Sequence, residues 1–231
     1  MKADWKNTAV IVPIYNSSKY LKELFGRIFE FYPAESVYAI NDASTDNSAK
    51  ICETSGVNLI NISINKGKGN ALNIGFKEAI TDEFKFAFSI DSDLQHKPED
   101  FPGFLEKQNK DEIDLLIGRR MLSKTKMPFM RVCSNSITSK IVSIFTKQKI
   151  LDSQCGFRLY NLDSIKDFKF RTKRYQFETE VILELAKADG KTGFIDIETI
   201  YDGQKSYISH LRDIMNFIKI IIYEIFHCSI K

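Results

Sequence analysis

The sequence lacks the patterns of a metal-thiolate, disulfide-rich or membrane-spanning protein. Its four cysteines are far apart and form no CxxC pair, which argues against a zinc site and against a disulfide framework. Its three histidines show no HExxH spacing. The longest apolar run near the end, Ile220 to Tyr223, is far shorter than the roughly 20 residues of a spanning helix. The first residues contain no apolar signal-peptide core, so we expect a cytoplasmic protein with reduced thiols.

A strong charge of either sign is also missing. The 231 residues include 33 Lys and Arg against 30 Asp and Glu, which leaves a net charge of +3 and argues against nucleic acid as a partner. The 43% of hydrophobic residues is typical of a globular chain and not of a disordered one. We find no repeat and no Pro-rich linker among the five prolines, so we expect one domain over residues 1–231.

Apolar runs alternate with segments of helical periodicity through the first 90 residues. The runs at residues 8–14, 36–40, 57–62 and 84–90 predict strands, with helices between them. The second half predicts strands at 115–118 and 193–201, helices near 134–145 and 178–188, and a polar stretch at 151–158. Such alternation predicts an α/β fold with a mostly parallel, Rossmann-like central sheet flanked by helices.

Polar clusters follow three of these predicted strands where each one ends. They are Tyr15-Asn16, Asp42 and Asp91-Ser92-Asp93. Because ligands bind beyond the carboxyl ends of parallel strands, this coincidence predicts a binding site at one edge of the sheet.

The two carboxylates of Asp91 and Asp93 are the strongest chemical signal. They repel each other, and a hard divalent cation that also bridges phosphate oxygens relieves the repulsion. Gln95 adds a neutral oxygen ligand nearby. These three residues predict a site for Mg²⁺ or Mn²⁺ that acts together with a bound diphosphate.

Other polar residues support both a functional and an ordinary structural interpretation. Asp42 fits a contact to a base or ribose, or an N-cap. The loop Gly67-Lys68-Gly69 is not a P-loop, and we expect a solvated turn. Arg120, Arg131 and Arg158 are candidates for phosphate binding.

Four segments together resemble those of family-2 glycosyltransferases. They are residues 10–16, 41–46, 65–71 and 91–96, and residues 153–158 look like the branch that contains dolichyl- and polyprenyl-phosphate sugar synthases. The motifs are in the family's order and extend from about residue 8 to residue 212.

This resemblance implies a GT-A fold, a nucleotide-sugar donor and a divalent metal. It implies that Pro13, Tyr15 and Asp42 line the nucleoside pocket and that Asp91, Asp93 and Gln95 serve the metal, ribose and diphosphate. By the same resemblance Asp93, Arg120, Arg131 and Arg158 belong to the catalytic centre, and Lys205 contacts the diphosphate.

Three residues depart from the family pattern, namely Asn41, Arg119 and Cys155. The base of the donor (GDP- or UDP-linked), the sugar and the acceptor therefore stay open. A lipid phosphate acceptor needs no general base, whereas a glycan hydroxyl needs a carboxylate, for which Glu178 and Glu180 are candidates. A nucleotide-sugar-binding protein without turnover is a further alternative.

Residues 208–231 predict a C-terminal amphipathic helix. Its apolar positions recur at helical spacing and form a broad stripe: Ile214, Phe217, Ile218, Ile221, Ile222 and Ile225. Such a segment fits packing on the domain, contact with a second copy in a homo-oligomer, or peripheral association with the cytoplasmic face of a membrane.

Overall fold

A seven-stranded sheet forms the centre of the described part of the chain. The computed structural model describes residues 2–121, 129–172 and 176–200. In chain order the strands are β1 Thr8–Ile14, β2 Val37–Asp42, β3 Asn58–Ile62, β4 Phe86–Ser89, β5 Leu115–Arg120, β6 Arg158–Asn161 and β7 Thr192–Ile197. Their order in the sheet is β3-β2-β1-β4-β6-β5-β7. Every pairing is parallel except those of β6, which lies antiparallel between β4 and β5.

Six α-helices accompany the sheet in the described part of the chain. They are α1 Ser18–Ile28, α2 Ser48–Ser55, α3 Lys68–Thr81, α4 Phe101–Asp111, α5 Phe129–Thr146 and α6 Phe177–Lys187. The mixed α/β class and the mostly parallel sheet agree with the sequence prediction. Among the described residues, none of these helices combines the length and apolar character that a membrane span requires.

The core is aromatic beneath the carboxyl ends of β4 and β5. Phe88 on β4 packs against Phe101 and Phe104 of α4, with ring centroids 4.5 and 5.6 Å away. Phe157, directly before β6, packs on Phe104 at 4.6 Å. All four side chains are buried, so this cluster holds the residue 151–158 stretch firmly against the sheet.

Two local structures differ from the sequence prediction. Strand β6 begins at Arg158, the last residue of the predicted polar stretch, and helix α3 begins at Lys68, inside the predicted turn. Gly67 precedes α3 with a φ of 95°, a left-handed conformation that glycine adopts without strain. Lys68 is therefore placed on the first turn of a helix, where its side chain is fixed and not part of a solvated turn.

Candidate active site

Side chains from the ends of β1, β2 and β4 are joined by hydrogen bonds at one edge of the sheet. Ser17, after β1, shares a 2.7 Å hydroxyl–hydroxyl bond with Ser92, after β4. The backbone N–H of Asn16 donates to the Ser44 hydroxyl beyond β2, at 2.9 Å. The polar clusters that the sequence places at strand ends thus meet in one region.

Asp42 uses both carboxylate oxygens to hold the loop before α3. The backbone N–H groups of Lys66 and Gly67 donate to these oxygens at 2.8 and 2.7 Å, and the side chain is buried. Tyr15 directly follows the carboxyl end of β1 and is 38% exposed, whereas Pro13 is buried within β1. Of the three residues predicted to line a nucleoside pocket, Tyr15 is therefore the most accessible.

A lysine links two carboxylates at the centre of the site. The Lys68 ammonium lies 2.5 Å from Oδ1 of Asp91 and 2.8 Å from Oε1 of Glu178 on α6. Burial alone would lower the pKa of Lys68, but the charges of Asp91 and Glu178 outweigh burial and raise that pKa. Burial would likewise raise the pKa of Asp91, and the neighbouring ammonium of Lys68 lowers it instead. Lys68 and Asp91 therefore form a charged pair at neutral pH, with Glu178 as the second partner of the ammonium.

Gly156 leaves the space in which this triad assembles. A Cβ atom at position 156 would overlap Oδ2 of Asp91 and lie 2.5 Å from the Lys68 nitrogen. No other residue type fits here without moving the ion pair, because every other amino acid carries a Cβ atom.

Asp93 lies two residues beyond Asp91 in a different electrostatic environment. Burial, and then the charge of Asp91, raise the pKa of Asp93 to about 6. Its Oδ1 accepts the backbone N–H of Gln95 at 3.1 Å. Gln95 is also bound through its backbone, because its carbonyl accepts the N–H of Ile200 at 3.0 Å.

These oxygen atoms fit a divalent cation that is held together with a substrate. Within the described residues, no group of three or more His, Cys, Asp and Glu side chains is arranged to hold a metal ion. Two carboxylates are nevertheless what Mg²⁺ commonly takes from a protein when phosphate oxygens and water complete its shell. Asp91 already pairs with a cation, the Lys68 ammonium, which shows that positive charge is stabilised at this position.

Arg120 forms a two-point ion pair with Asp152 next to the triad. Its Nε and one terminal nitrogen donate to the two carboxylate oxygens of Asp152 at 2.7 and 2.9 Å. Asp152 also accepts the Asn135 side-chain amide and the backbone N–H of Cys155, so it orders the 152–155 loop. Arg120 thus lies at the site with its guanidinium orientation fixed.

Arg158 lies beneath the site and has no exposed surface. Its three guanidinium nitrogens donate to the backbone carbonyls of Cys155, Glu178 and Ser153 at 2.7 to 2.8 Å. The predicted phosphate contact would require these buried bonds to break, so the structure assigns Arg158 a supporting position. The local reason is that β6 begins at Arg158 and pairs it with Ser89 and Ile117 on both sides.

Two predicted phosphate contacts, those of Arg131 and Lys205, involve side chains outside the described residues. Arg131 belongs to the first turn of α5, and its side chain is not part of the described residues. Lys205 and the segment 208–231 fall in a part of the chain, 201–231, that is not described.

His96 and Cys155 form a buried pair beside the triad. The Cys155 sulfur is 3.9 Å from Nε2 of His96, and Nδ1 of His96 has no hydrogen-bond partner among the described residues. Burial lowers the pKa of His96 to about 4 and raises that of Cys155 to about 12, so both are neutral near pH 7. Cys155 is therefore a packed residue and not a nucleophile.

Sequence reasoning missed Lys68 and Asp152. The rule that led to Asp42 and Asp91 also applies to Lys68, since it follows the carboxyl end of β3. Asp152 carried no comparable signal, because its partner Arg120 is 32 residues away.

Comparison with known proteins identifies the family of this chain. Residues 9–168 match the family model described as Glycosyl transferase family 2. A UDP-N-acetylglucosamine–dolichyl-phosphate N-acetylglucosaminyltransferase of Methanococcus voltae is 25% identical over 214 residues, covering 83% of this chain and 85% of that protein. An undecaprenyl-phosphate mannosyltransferase of Micrococcus luteus is 26% identical over 188 residues, covering 77% of this chain and 76% of that protein.

The fold is also that of solved glycosyltransferases. The crystal structure of glucosyl-3-phosphoglycerate synthase from Mycobacterium tuberculosis, in complex with Mn²⁺, uridine diphosphate and glucosyl-3-phosphoglycerate, superposes with a TM-score of 0.71 at 14% identity. The match covers 94% of this chain and 77% of that one, and it shows a GT-A fold. With more than half of its length matched by the family model, this chain belongs to glycosyl transferase family 2.

Proposed function

We propose that this chain transfers a sugar, with inversion at the anomeric carbon, from a GDP- or UDP-linked donor to a polyprenyl phosphate. The observation that carries the proposal is the carboxylate pair Asp91 and Asp93 at the carboxyl end of β4, beside the Lys68 ammonium and the fixed Arg120 guanidinium. The relatives named above, which act on dolichyl and undecaprenyl phosphates by name, support the choice of acceptor.

The reaction breaks a bond between the anomeric carbon and a diphosphate oxygen, so negative charge develops on the leaving nucleoside diphosphate. Mg²⁺ or Mn²⁺ bound by Asp91 and Asp93, with Gln95 as a further ligand, would supply Lewis-acid stabilisation of that charge. Lys68 and Arg120 add fixed positive charge in a partly buried site, where it acts more strongly than in water. Asp42 holds the loop that leads into α3, where Lys68 lies.

The engagement of two glutamates favours a phosphate acceptor over a hydroxyl. Glu178 is paired with Lys68, and its side chain is buried. Glu180 accepts the backbone N–H groups of Arg171 and Thr172 at 2.8 and 2.9 Å. Neither is therefore placed as a general base, and a lipid phosphate, being anionic near neutral pH, does not need one.

A transfer assay with the full chain tests the proposal. Donors should include UDP-N-acetylglucosamine and GDP-mannose, because the two relatives are named for different sugars. The acceptor should be a short, water-soluble isoprenyl phosphate, with Mn²⁺ or EDTA added. We expect a metal-dependent lipid-phosphate sugar that disappears in Asp93→Asn and persists in Asp189→Asn, an exposed aspartate beyond α6.

Two results would contradict the proposal. Transfer to a glycan hydroxyl but not to the isoprenyl phosphate would favour the alternative of polysaccharide synthesis. Donor binding without transfer to any acceptor would favour a nucleotide-sugar-binding protein without turnover.

Location and assembly form part of the same proposal. A polyprenyl phosphate acceptor resides in a membrane, so we place the protein in the cytoplasm at the cytoplasmic membrane face. The segment 208–231 is the sequence candidate for membrane contact or for a homo-oligomer, and it lies outside the described residues.

A further inference from the structure

Helix α5 buries several polar side chains beside the apolar Val142 and exposes several large apolar side chains. The buried face includes Asn135, Thr138 and Ser139, which hydrogen-bond the 152–154 loop. Ser143 continues this face and bonds the backbone of Ile150. A helix at the surface of a soluble domain normally shows the opposite arrangement.

The outer face of α5 exposes large aliphatic and aromatic side chains. Ile137 is 61% exposed, Ile144 is 69% exposed and Phe145 is 39% exposed. Ile137, Ile141 and Ile144 are spaced four and three residues apart, so they lie in one stripe along the helix. A contiguous apolar stripe on a surface otherwise rich in charge indicates a surface that meets an apolar partner.

The charge around this stripe is of one sign. Lys140 lies next to the stripe on α5, and Lys147 and Lys149 follow the helix, all three exposed. Residues 121–151 contain six Lys or Arg and no Asp or Glu, although the whole chain is nearly balanced. Lysines can keep their charged ends at an interface while their stems lie along apolar surface.

The stripe is tied to the active site by its inner face. Asn135 donates to Asp152, the same carboxylate that orients Arg120. A surface that contacts the outside of α5 would therefore lie one helix thickness, about 10 Å, from the loop that forms this side of the site.

We propose that the outer face of α5, defined as Ile137, Ile141, Ile144, Phe145 and the flanking Lys140, Lys147 and Lys149, binds an anionic lipid bilayer. The apolar stripe enters the headgroup region and the lysines meet anionic headgroups. The choice of a lipid surface rests in part on the proposed polyprenyl phosphate acceptor. The surface differs from the segment 208–231 that the sequence analysis singled out.

Vesicle co-sedimentation of the full chain tests this face directly. The probes are vesicles of phosphatidylcholine alone and vesicles with about a third phosphatidylglycerol. We expect binding to the anionic vesicles that weakens at high salt and falls about tenfold or more in Ile137→Ser/Ile144→Ser. The matched control is Ile64→Ser, since Ile64 in the β3–α3 loop is also 69% exposed; it should bind like the wild type.

Two further measurements, of thermal stability and of transfer to the soluble isoprenyl phosphate, make each outcome decisive. Unchanged thermal stability of the double variant, together with full transfer to the soluble isoprenyl phosphate, would locate its defect in membrane binding. If neither the wild type nor any variant transfers a sugar to the isoprenyl phosphate, and the wild type still binds vesicles, the proposed acceptor is refuted. The proposal of a lipid-binding surface then still holds.

The proposal is overturned if the double variant and Ile64→Ser bind vesicles equally. It is also overturned if the double variant loses several degrees of melting temperature without a change in vesicle binding, because another part of the chain then covers the face. A wild-type dimer that becomes monomeric in the double variant, again without vesicle binding, would assign the face to a second copy.

Discussion

The Lys68 ammonium and the Asp91 carboxylate lie 2.5 Å apart, so a protein cation pairs with the carboxylate that we assign to a metal. Glu178 holds the same ammonium from the opposite element, α6. Lysine and metal therefore act on one carboxylate, and the Lys68 ammonium balances part of the negative charge of the site in the absence of a nucleotide.

Replacing Lys68 by methionine should expose this balance. Asp91 and the buried Glu178 would lose their cation, and we expect a loss of about 3 kcal/mol in the free energy of unfolding. Added Mn²⁺ should raise the melting temperature of Lys68→Met more than that of the wild type, because the metal replaces the missing charge. Lys66→Met is the control, since its exposed side chain is two residues away. Identical melting curves for the two variants would contradict the role of Lys68 as the cation that stabilises Asp91 and Glu178.

Gly156→Ala should disturb the site by adding one carbon atom. The new Cβ would overlap Asp91 and approach the Lys68 nitrogen to 2.5 Å. We expect a destabilisation of about 1 to 3 kcal/mol and a loss of Mn²⁺-dependent donor binding in calorimetry.

Gly26→Ala is a matched control for this substitution, because a Cβ atom there meets nothing within 4 Å in helix α1. It should stabilise the protein by about 0.5 to 1 kcal/mol. If Gly156→Ala behaved in the same way, the tight fit around Asp91 would be contradicted.

Arg158→Lys should reduce the stability of the protein more than the same substitution at a surface arginine. A lysine cannot serve three separate carbonyls in the fixed geometry of the guanidinium, so we expect a loss of about 2 to 4 kcal/mol in urea unfolding. Arg119→Lys, at an exposed pair with Asp196, should change the stability by less than about 0.5 kcal/mol. Unchanged stability with abolished transfer in Arg158→Lys would restore the phosphate-binding interpretation.

The raised pKa of Asp93 predicts a pH dependence in the metal-free protein. Its pKa is about 6 when folded and about 3.9 when unfolded, so the folded protein binds the proton more tightly. The stabilisation that this proton gives is present in full below about pH 4 and is lost as the pH rises through 6.

The free energy of unfolding, measured from pH 4 to 8 in EDTA, tests whether stability falls as the pH rises. In Asp93→Asn the free energy of unfolding should decline less with rising pH. At pH 8 this variant should be more stable than the wild type by about 2 kcal/mol. Donor binding with Mn²⁺ should weaken below pH 6 in the wild type, because the metal needs the ionised carboxylate. A decline of equal slope in Asp93→Asn and in the Asp189→Asn control would contradict the assignment.

The strands and their polar ends were predictable because their signals are local. The run Thr8 to Ile14 has the bounds of β1, and Asp91 and Asp93 follow β4 as expected. A buried parallel strand needs a short apolar run, and the chain must become polar where the strand leaves the core. Both features are visible in a few consecutive residues.

The pairing of Lys68 with Glu178 could not be predicted, because the two residues are 110 positions apart in the sequence. Strand β6 is only four residues long. Its pairing with β4 and β5, more than its own composition, makes these residues a strand. That pairing also buries Arg158, so a residue that looked like a surface phosphate ligand became part of the interior. Long-range packing decided each of these outcomes.

The antiparallel insertion of β6 has a consequence for which part of the chain can be exchanged. Ile117 of β5 and Arg158 of β6 are register partners, and the N–H of Gly118 donates to the carbonyl of Phe157 at 2.9 Å. The chain thus leaves the sheet and re-enters it at adjoining points, with α5 and the 152–155 loop in between. Because both junctions lie at one place in the sheet, we expect that exchanging residues 121–151 for those of a relative leaves β5, β6 and the Arg120–Asp152 pair in place.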